Sequence, residues 1–421
     1  MNYNTYQLDN GLRIIHLPST SQVVYCGYQI AAGTRHERPG EEGLAHFVEH
    51  TTFKGTERRN SLQIIQALES VGGELNAYTN KEDTTYYAAL MKEHLPRAID
   101  LLTDIVFHSV YPTVELEKEK EVICEEIECY NDSPAELIYD EFENILFRDL
   151  SLGHNILGTA ERVRSFTTDD ALRFARQYYR PDNAIFFIYG DVEFKKVLKE
   201  LSKCIKGVSN KDCNKQYEKN STLCESRKPE YPKGSYIEVP KGTHQAHVML
   251  GTIAYDIKHS LRIPLYLLNN IIGGPGLNAR LNLSLRERNG LVYTVDSTMV
   301  SYSDTGLWSV YFGCDHKDVK KCLRLVRKEL DKLMKSPISS RHLQLAKQQI
   351  KGQIGIACDH RESFALDFGK SFLHYGWEKD VSHLCQQIDA ITAEQIQQVA
   401  QELFAEDRIH TLVYGKDKEK H

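Results

Sequence analysis

A domain-sized internal duplication constrains this chain more than any other feature of its sequence. Residues 165–191 and 390–416 share one pattern: a threonine precedes an amphipathic stretch, and a β-branched and aromatic run then ends in Tyr-Gly. The matching pairs, all 225 positions apart, are Thr167/Thr392, Tyr189/Tyr414 and Gly190/Gly415. In the first copy Thr167 or Thr168 can cap a helix, and the apolar run that follows is typical of a strand. We therefore predict two similar halves that end in the same helix–strand unit.

The chain length and one polar stretch predict where the halves meet. At roughly 150 residues per domain, the 421 residues correspond to about 2.8 domains, so two or three units are expected. Residues 207–234 are polar, charged and almost devoid of aliphatic side chains, which is typical of a linker. We predict an N-terminal domain at 1–206, a linker at 207–234 and a C-terminal domain at 235–421.

The order of elements within each half predicts the fold class. The pattern indicates strands, a helical hairpin, a strand pair, further helices and a last strand. The predicted strand pairs are 74–79 with 84–90 and 293–301 with 306–312. Helices that are segregated from short meandering strands favour the α+β class. The predicted fold is two tandem α/β sandwich domains, each a mostly antiparallel sheet with helices packed against it.

Charge and hydropathy argue against several classes of function. The 52 lysines and arginines against 58 aspartates and glutamates give a net charge of −6, so no basic excess is present to neutralise nucleic-acid phosphates. No apolar run approaches the roughly 18 residues of a membrane span, and the N-terminus lacks a signal-peptide pattern. Ten cysteines without a C-x-x-C pair are typical of a reducing compartment. We predict a cytoplasmic protein that binds no nucleic acid and has no membrane span.

Residues of metal-ligand type lie at His46, Glu49 and His50, in a stretch that is predicted to be helical. Positions i and i+4 lie on one face of a helix, so both imidazoles can reach one metal ion while Glu49 lies beside them. This is the inverted zincin pattern H-x-x-E-H. Taken alone, the pattern is also compatible with a solvated helix face that carries two titrating histidines.

A second helix, predicted over 112–131, carries two carboxylates on its apolar face. With 100° per residue and Glu126 at 0°, Glu119 lies at about +20°. The apolar face is formed by Leu116, Val122, Ile123 and Tyr130. The solvent side carries Glu117, Glu121, Glu125 and Glu128, and Glu115 is assigned to the helix dipole. Because an unpaired buried carboxylate is costly, Glu119 and Glu126 both need a cation.

The simplest joint solution is a Zn²⁺ ion bound by both histidines and Glu126, with a fourth position left for water. Glu119 then accepts a hydrogen bond from a ligand imidazole, and the alternative is an intrahelical ion pair with Lys118 or Lys120. Two neutral imidazoles and one carboxylate leave the site positive, which lowers the pKa of bound water. Glu49 can take that water's proton and pass it to a leaving amine. Peptide hydrolysis is the favoured reaction, while ester hydrolysis and deamination stay open as alternatives.

Four blocks, in order, carry a resemblance to a known family: residues 43–56, 69–88, 117–128 and 279–293. The chain resembles the pitrilysin family of zinc metallopeptidases, in the short subgroup that includes mitochondrial processing peptidase, over essentially its whole length. The resemblance implies an endopeptidase with one Zn²⁺ per chain and with the third ligand about 76 positions after the second histidine. Glu126 lies 76 positions after His50. The expected metal ligands are therefore His46, His50 and Glu126, with Glu49 as the base.

The resemblance also implies how a peptide or unfolded polypeptide substrate is bound. In similar enzymes the stretch that matches residues 75–79 is an edge strand that pairs with the substrate backbone. This implies substrate-binding roles for Asn76, Ala77 and Tyr78, and the alternative is an ordinary capped sheet edge.

Arg286 and Tyr293 match an arginine and a tyrosine that family members bring to the substrate from their C-terminal half. Tyr293 would donate to the developing oxyanion, and Arg286 would hold the substrate carbonyl or backbone. By resemblance they face a partner chain's zinc, so two chains close like a clamshell around a chamber. Because this sequence carries both parts of the site, a homodimer is expected. The loop 273–278 departs from the small-residue run of the family pattern, and Pro275 would stiffen it, which argues against a role as a flexible flap.

The second half lacks a metal motif and is therefore predicted to be a recognition domain. At an offset of 218, which relates two earlier strand ends, His46, Glu49 and His50 correspond to apolar residues, namely Pro264, Leu267 and Leu268. Two alternatives stay open: a non-catalytic assembly subunit, and an enzyme that is active only with a separate, related subunit.

Overall fold

The computed structural model describes residues 2–148, 150–208, 233–376 and 380–416, which form two compact units. The first unit contains Met1–Cys129, His154–Cys224 and Ala357–Asp380, and the second contains Tyr130–Gly153, Glu225–Ile356 and Val381–His421. Most of the predicted linker, 209–232, lies outside the described residues.

Eleven strands and fourteen helices are assigned within these ranges. The strands are β1 (Asn4–Gln7), β2 (Arg13–Pro18), β3 (Val23–Ile30), β4 (Glu74–Thr79), β5 (Thr84–Met91), β6 (Ala184–Gly190), β7 (Tyr236–Pro240), β8 (Ala246–Ala254), β9 (Val292–Ser301), β10 (Gly306–Cys314) and β11 (His410–Gly415). The helices are α1 (Leu44–Thr52), α2 (Ser61–Glu69), α3 (Leu95–Phe107), α4 (Thr113–Asn131), α5 (Pro134–Leu146), α6 (Ala160–Ser165), α7 (Thr168–Tyr178), α8 (Phe194–Cys204), α9 (Arg262–Gly273), α10 (Val319–Lys335), α11 (Ser340–Cys358), α12 (Arg361–Tyr375), α13 (Val381–Ala390) and α14 (Ala393–Leu403). Among the helices in the described ranges, none has the length and apolar character that a bilayer crossing requires.

The two sheets repeat one topology, as the duplication predicts. The first sheet has the order β1-β2-β6-β3-β5-β4, and the second has the order β7-β11-β8-β10-β9. In each sheet one pair is parallel, β2 with β6 and β7 with β11, while the other pairs are antiparallel. Strands β4 and β9 end their sheets at corresponding edges. The predicted α+β class with mostly antiparallel sheets is confirmed.

The repeated helix caps show how local sequence builds this topology. Thr167 precedes α7, and its hydroxyl accepts from the N–H of Asp170. Thr392 precedes α14, and its hydroxyl accepts from the N–H of Gln395. In both copies the side chain of the third helix residue also accepts a hydrogen bond from the backbone N–H of the cap residue, so each forms a capping box. The first of the two candidate threonines, Thr167, is therefore the cap.

The compact units differ from the predicted domains 1–206 and 235–421 because each sheet recruits one helix from the other half of the chain. Helix α5 packs on β8 and β11, where Phe142 is buried in an apolar cluster of the second unit. Helix α12 packs on β3 and β6, where the side-chain amide of Gln29 donates to the carbonyl of Leu366 at 3.0 Å. An apolar sheet face must be covered, and the helix that covers it need not be close in sequence. The positions of α5 and α12 along the chain therefore do not predict which sheet each helix covers.

The buried carboxylate of Asp104 fixes the turn after α1, and its loss is expected to destabilise the fold. It accepts from the Thr56 hydroxyl at 2.8 Å, from Arg58 Nε at 3.0 Å and from the Arg59 guanidinium. Asp104→Ala should lower the free energy of unfolding by about 2–3 kcal/mol, below the cost at a fully buried pair because both arginines reach solvent. Thermal unfolding followed by circular dichroism measures the effect. The control is Asp100→Ala, which removes a partner of the same arginines whose side chain is 35% exposed, and equal Tm shifts in both variants would contradict the prediction.

Candidate metal centre

The beginning of helix α1 is held in place by a buried carboxylate and by a glycine. Glu37 accepts from the N–H groups of Gly43 at 3.0 Å and Ala45 at 2.7 Å. Gly43 has a φ of 96°, and a Cβ atom there would lie 2.7 Å from the carbonyl oxygen of Leu157. Only glycine meets both conditions without strain. The helix that carries His46, Glu49 and His50 is thus fixed at its N-terminus.

The ligand atoms of His46, His50 and Glu126 converge within 4.8 Å of one another. Glu126 Oε2 lies 3.8 Å from His46 Nε2 and 3.3 Å from His50 Nε2. Two imidazole nitrogens and one carboxylate oxygen form the donor set of many catalytic zinc sites, with one position of a tetrahedron left open. In the part of the chain that the structure describes, this is the one group of three such residues whose ligand atoms lie so close together. The donor set fits Zn²⁺.

Helix α4 directs its two inner carboxylates differently. Leu116 and Ile123 are buried, and Glu119 is buried with them. The Glu126 side chain is 44% exposed, so it reaches into an open cleft rather than into the core. Val122 is 50% exposed, so its predicted place on the apolar face is wrong. It lies at the margin of that face, where the helical angle alone does not decide burial.

Glu119 links the imidazole of His50 to a lysine. Its Oε1 lies 3.1 Å from His50 Nδ1, and its Oε2 lies 2.6 Å from Lys54 Nζ. The alternative of an intrahelical ion pair for Glu119 is wrong, because the helix lysines pair elsewhere. Lys118 pairs with Glu115 at 2.8 Å, and Lys120 pairs with Glu117 at 2.7 Å. The carboxylate of Glu119 is therefore directed towards the candidate metal centre.

The surroundings of the two histidines favour a proton on His50 over one on His46. Burial, and then the neighbouring His50, lower the pKa of His46 to about 4. Burial also disfavours a charge on His50, but hydrogen bonds to Glu119 and Glu126 outweigh it and raise the pKa of His50 to about 9. The hydrogen bond from His50 is the largest cause that lowers the pKa of Glu126. At neutral pH the cluster thus stabilises a cation beside Glu126, and a metal ion that binds there displaces a proton.

Glu49 is a buried carboxylate with one oxygen occupied. Its Oε2 accepts from the Thr79 hydroxyl at 2.5 Å, and burial raises its pKa. Its other oxygen has no hydrogen bond to any residue in the described ranges. The sequence patterns did not predict Thr79 as the partner of Glu49 or Lys54 as the partner of Glu119. The available signals were the position of Thr79 next to the predicted substrate residues and the position of Lys54 four residues after His50.

The predicted substrate strand borders the same cleft as the metal cluster. Asn76, Ala77 and Tyr78 lie in β4, the last strand of the first sheet. They line a cleft of about 590 Å³ together with the metal cluster, Glu49 and Glu119. Apolar side chains, among them Phe53 and Ile65, line the cleft as well. The strand edge and the metal cluster therefore belong to one concave site.

The predicted substrate contacts of the C-terminal half lie in the second unit. Arg286 belongs to a short π-helical turn, Asn282–Glu287, and Tyr293 is the exposed second residue of β9. The Arg286 guanidinium carbon lies 5.5 Å from the centre of the Tyr293 ring, whose residue is 79% exposed. The loop 273–278 is tied to α11, since Asn278 and Gln349 exchange two hydrogen bonds of 2.8 and 3.1 Å. Arg286 and Tyr293 thus form a solvent-accessible cation–π pair.

Comparisons with known proteins identify the family. Residues 13–160 match the family described as Insulinase (Peptidase family M16), and residues 165–350 match the one described as Peptidase M16 inactive domain. The uncharacterized zinc protease YmxG of Bacillus subtilis is 32% identical over 409 residues, which cover 97% of each chain. The chain belongs to peptidase family M16. An uncharacterized zinc protease of Rickettsia bellii is 30% identical over 96% of this chain and 95% of its own.

Solved structures share the fold of this M16 chain. A protease from Helicobacter pylori has a TM-score of 0.87 at 22% identity and covers 98% of this chain and 99% of its own. A peptidase M16 inactive domain from Pseudomonas fluorescens has a TM-score of 0.87 at 18% identity, with 100% and 99% covered. The predicted resemblance to the pitrilysin family of zinc metallopeptidases is confirmed, and the chain is a member of a family whose curated relatives are named zinc proteases.

Proposed function

We propose that this M16 chain is a zinc-dependent endopeptidase of peptides and unfolded polypeptide segments. One Zn²⁺ per chain is held by His46, His50 and Glu126, and Glu49 is the general base. The observation that carries the proposal is the convergence of three potential ligand atoms within 4.8 Å beside the buried carboxylate of Glu49, whose second oxygen has no hydrogen bond within the described ranges. A structural metal site would not require such a carboxylate.

Different residues of the cleft have separate roles in hydrolysis. A zinc ion at this centre supplies Lewis acidity, which lowers the pKa of water and polarises a carbonyl. Glu49 accepts the proton of the attacking water on its free oxygen, since Thr79 holds the other, and delivers it to the leaving amine. Burial moves the pKa of Glu49 upward, towards the range in which it both accepts and releases a proton at neutral pH. The β4 edge, at Asn76, Ala77 and Tyr78, pairs with the substrate backbone.

Metal content and cleavage of a blocked peptide test the proposal together. We expect about one zinc per chain by elemental analysis of the purified protein, as one donor set of this kind requires. A quenched, unstructured peptide with both termini blocked should be cleaved internally, because an exopeptidase cannot attack it. Cleavage should stop with a chelator and return with added zinc. Zinc-free protein, or zinc-loaded protein without turnover, would contradict the proposal.

Thr79→Val tests whether the hydroxyl of Thr79 orients the base. Valine keeps the β-branched shape of the strand residue but removes the hydrogen bond to Glu49 Oε2. We expect kcat to fall about tenfold, the effect of one hydrogen bond to a charged group, with KM and zinc content unchanged. Thr79→Ser retains the hydroxyl and should keep most of the activity. A Thr79→Val variant with wild-type kcat would exclude this role.

We further propose that the active form is a homodimer in which the partner chain supplies Arg286 and Tyr293. Glu49→Gln and Arg286→Ala are then each deficient, but a mixed dimer contains one site with an intact base and an intact arginine. After subunit exchange of an equal mixture, about a quarter of all sites should be complete, because half of the dimers are mixed and half of their sites are restored. Peptide cleavage measures the recovery. No recovery despite exchange, followed by mass spectrometry, would rule out sites built across chains.

A further inference from the structure

The two histidines of the centre differ in what holds their rings. His50 Nδ1 lies 3.1 Å from Glu119 Oε1. The corresponding nitrogen of His46 is buried and has no hydrogen-bond partner in the described part of the chain. A metal-ligating imidazole usually donates its second N–H to an acceptor, which fixes the ring and raises its basicity. In the described part of the chain, the hydrogen bond that fixes a histidine ring of the centre is therefore the one between His50 and Glu119.

Glu119 is itself held by a second partner. Its side chain is 9% exposed, and each of its oxygens has a different neighbour: Oε1 faces His50, and Oε2 lies 2.6 Å from Lys54 Nζ. Such a carboxylate cannot rotate without losing a charge-assisted hydrogen bond. Lys54 lies two residues beyond the end of α1, and its side chain is 26% exposed, so it reaches Glu119 from the rim of the cleft.

We propose that Lys54 is a positioning residue, which sets zinc affinity by holding Glu119 against the ring of His50. The proposal rests on the zinc site proposed above. Among the described residues, the ammonium group of Lys54 forms its ion pair with Glu119 and not with His46, His50 or Glu126, so its effect on the metal runs through Glu119. The contacts from His50 to Glu119 and from Glu119 to Lys54 thus add to the metal site a residue whose own ion pair is not with a ligand.

Two physical effects of Lys54 on zinc have opposite signs, and this makes the proposal testable. As a cation near a dication, Lys54 repels the metal, so its removal would strengthen binding if charge alone mattered. As the anchor of Glu119, it keeps His50 in the ligating orientation, so its removal weakens binding. The sign of the change therefore separates the two roles.

Zinc affinity, measured by competition with a chromophoric chelator at fixed pH, tests the sign. Lys54→Met should bind zinc about tenfold more weakly, at the lower end of the effects of outer-shell changes. Lys54→Arg keeps the cation and a donor and should restore most of the affinity. Lys118→Met is the matched control, because it removes a similar Lys–Glu ion pair one residue from Glu119. Unchanged or tighter binding in Lys54→Met would overturn the proposal.

A double-mutant cycle tests the route through Glu119. Glu119→Gln alone should weaken zinc binding about 10–100-fold, and Lys54→Met should add little in that background. Equal effects of Lys54→Met in both backgrounds would show that Lys54 does not act through Glu119. The visible spectrum of the Co²⁺-substituted protein gives a second readout, and it should change in Lys54→Met but not in Lys54→Arg. A wild type that binds no zinc would overturn the proposed function as well, whereas a zinc-binding wild type with an unaffected Lys54→Met would overturn only this inference.

Discussion

Glu49→Gln is expected to lower kcat for peptide cleavage by about 10³-fold, within the 10²–10⁴ range of general acid–base catalysis. Glutamine has nearly the same shape as glutamate and can still accept from Thr79, but it cannot take a proton from water. Zinc content should stay at the wild-type value, because Glu49 is not among the three converging ligand atoms. Loss of turnover with retained metal separates the base from a ligand.

A second carboxylate in the same cleft provides the control for this change. Glu69 lies at the end of α2 and lines the cleft, but it is exposed and does not belong to the metal cluster. Glu69→Gln should leave kcat within a few-fold of wild type, since it changes only the local charge. Undiminished cleavage by Glu49→Gln would refute the assigned base. Equal losses in both variants would instead indicate a general effect of charge in the cleft.

Glu126→Ala is expected to weaken zinc binding more than the 10–100-fold that outer-shell changes cost, because it removes the only carboxylate ligand. Two imidazoles alone leave the metal with too few protein donors and with no negatively charged ligand. Activity should fall to that of chelator-treated wild type and should partly return at high zinc concentration. Elemental analysis after dialysis and zinc titration measure the loss.

The neighbouring residue tests the direction of the helix face. Glu125 has the same side chain, belongs to the same helix and is exposed. Glu125→Ala should retain zinc and activity, since one residue of rotation along α4 turns its carboxylate about 100° away from the cluster. Similar zinc loss in both variants would mean that the helix changes register or loses structure, and the assignment of Glu126 would fail.

The sequence predicted the individual parts of the candidate centre because each part depends on helix periodicity. The spacing of His46 and His50 places both rings on one face of α1, and the wheel directs Glu119 and Glu126 to one side of α4. These relations hold within a single helix, so they do not depend on how the rest of the chain folds. The same rule was wrong for Val122, because a residue at the margin of a helix face is buried or exposed according to its neighbours.

Contacts between distant elements were not predictable from these patterns. Thr79 meets Glu49 across 30 positions, and Lys54 meets Glu119 across 65. Such pairs depend on how β4 and α4 pack beside α1 and on which rotamers the packing allows. Neither the packing nor the rotamers produce a periodic pattern in the sequence. The roles of Arg286 and Tyr293 on a partner's substrate stay predictions that the mixing experiment tests.

The sequence by itself determined the repeated topology, the helix caps and the residues that face the candidate metal centre, since propensity, capping and periodicity act within a few residues. Tertiary structure alone decided that α5 covers the second sheet and α12 the first, and that Lys54 and Thr79 hold the carboxylates of the site. The physical reason is that burial of an apolar face and neutralisation of a buried charge depend on which groups are near in space. Proximity along the chain sets the first kind of relation, and packing sets the second.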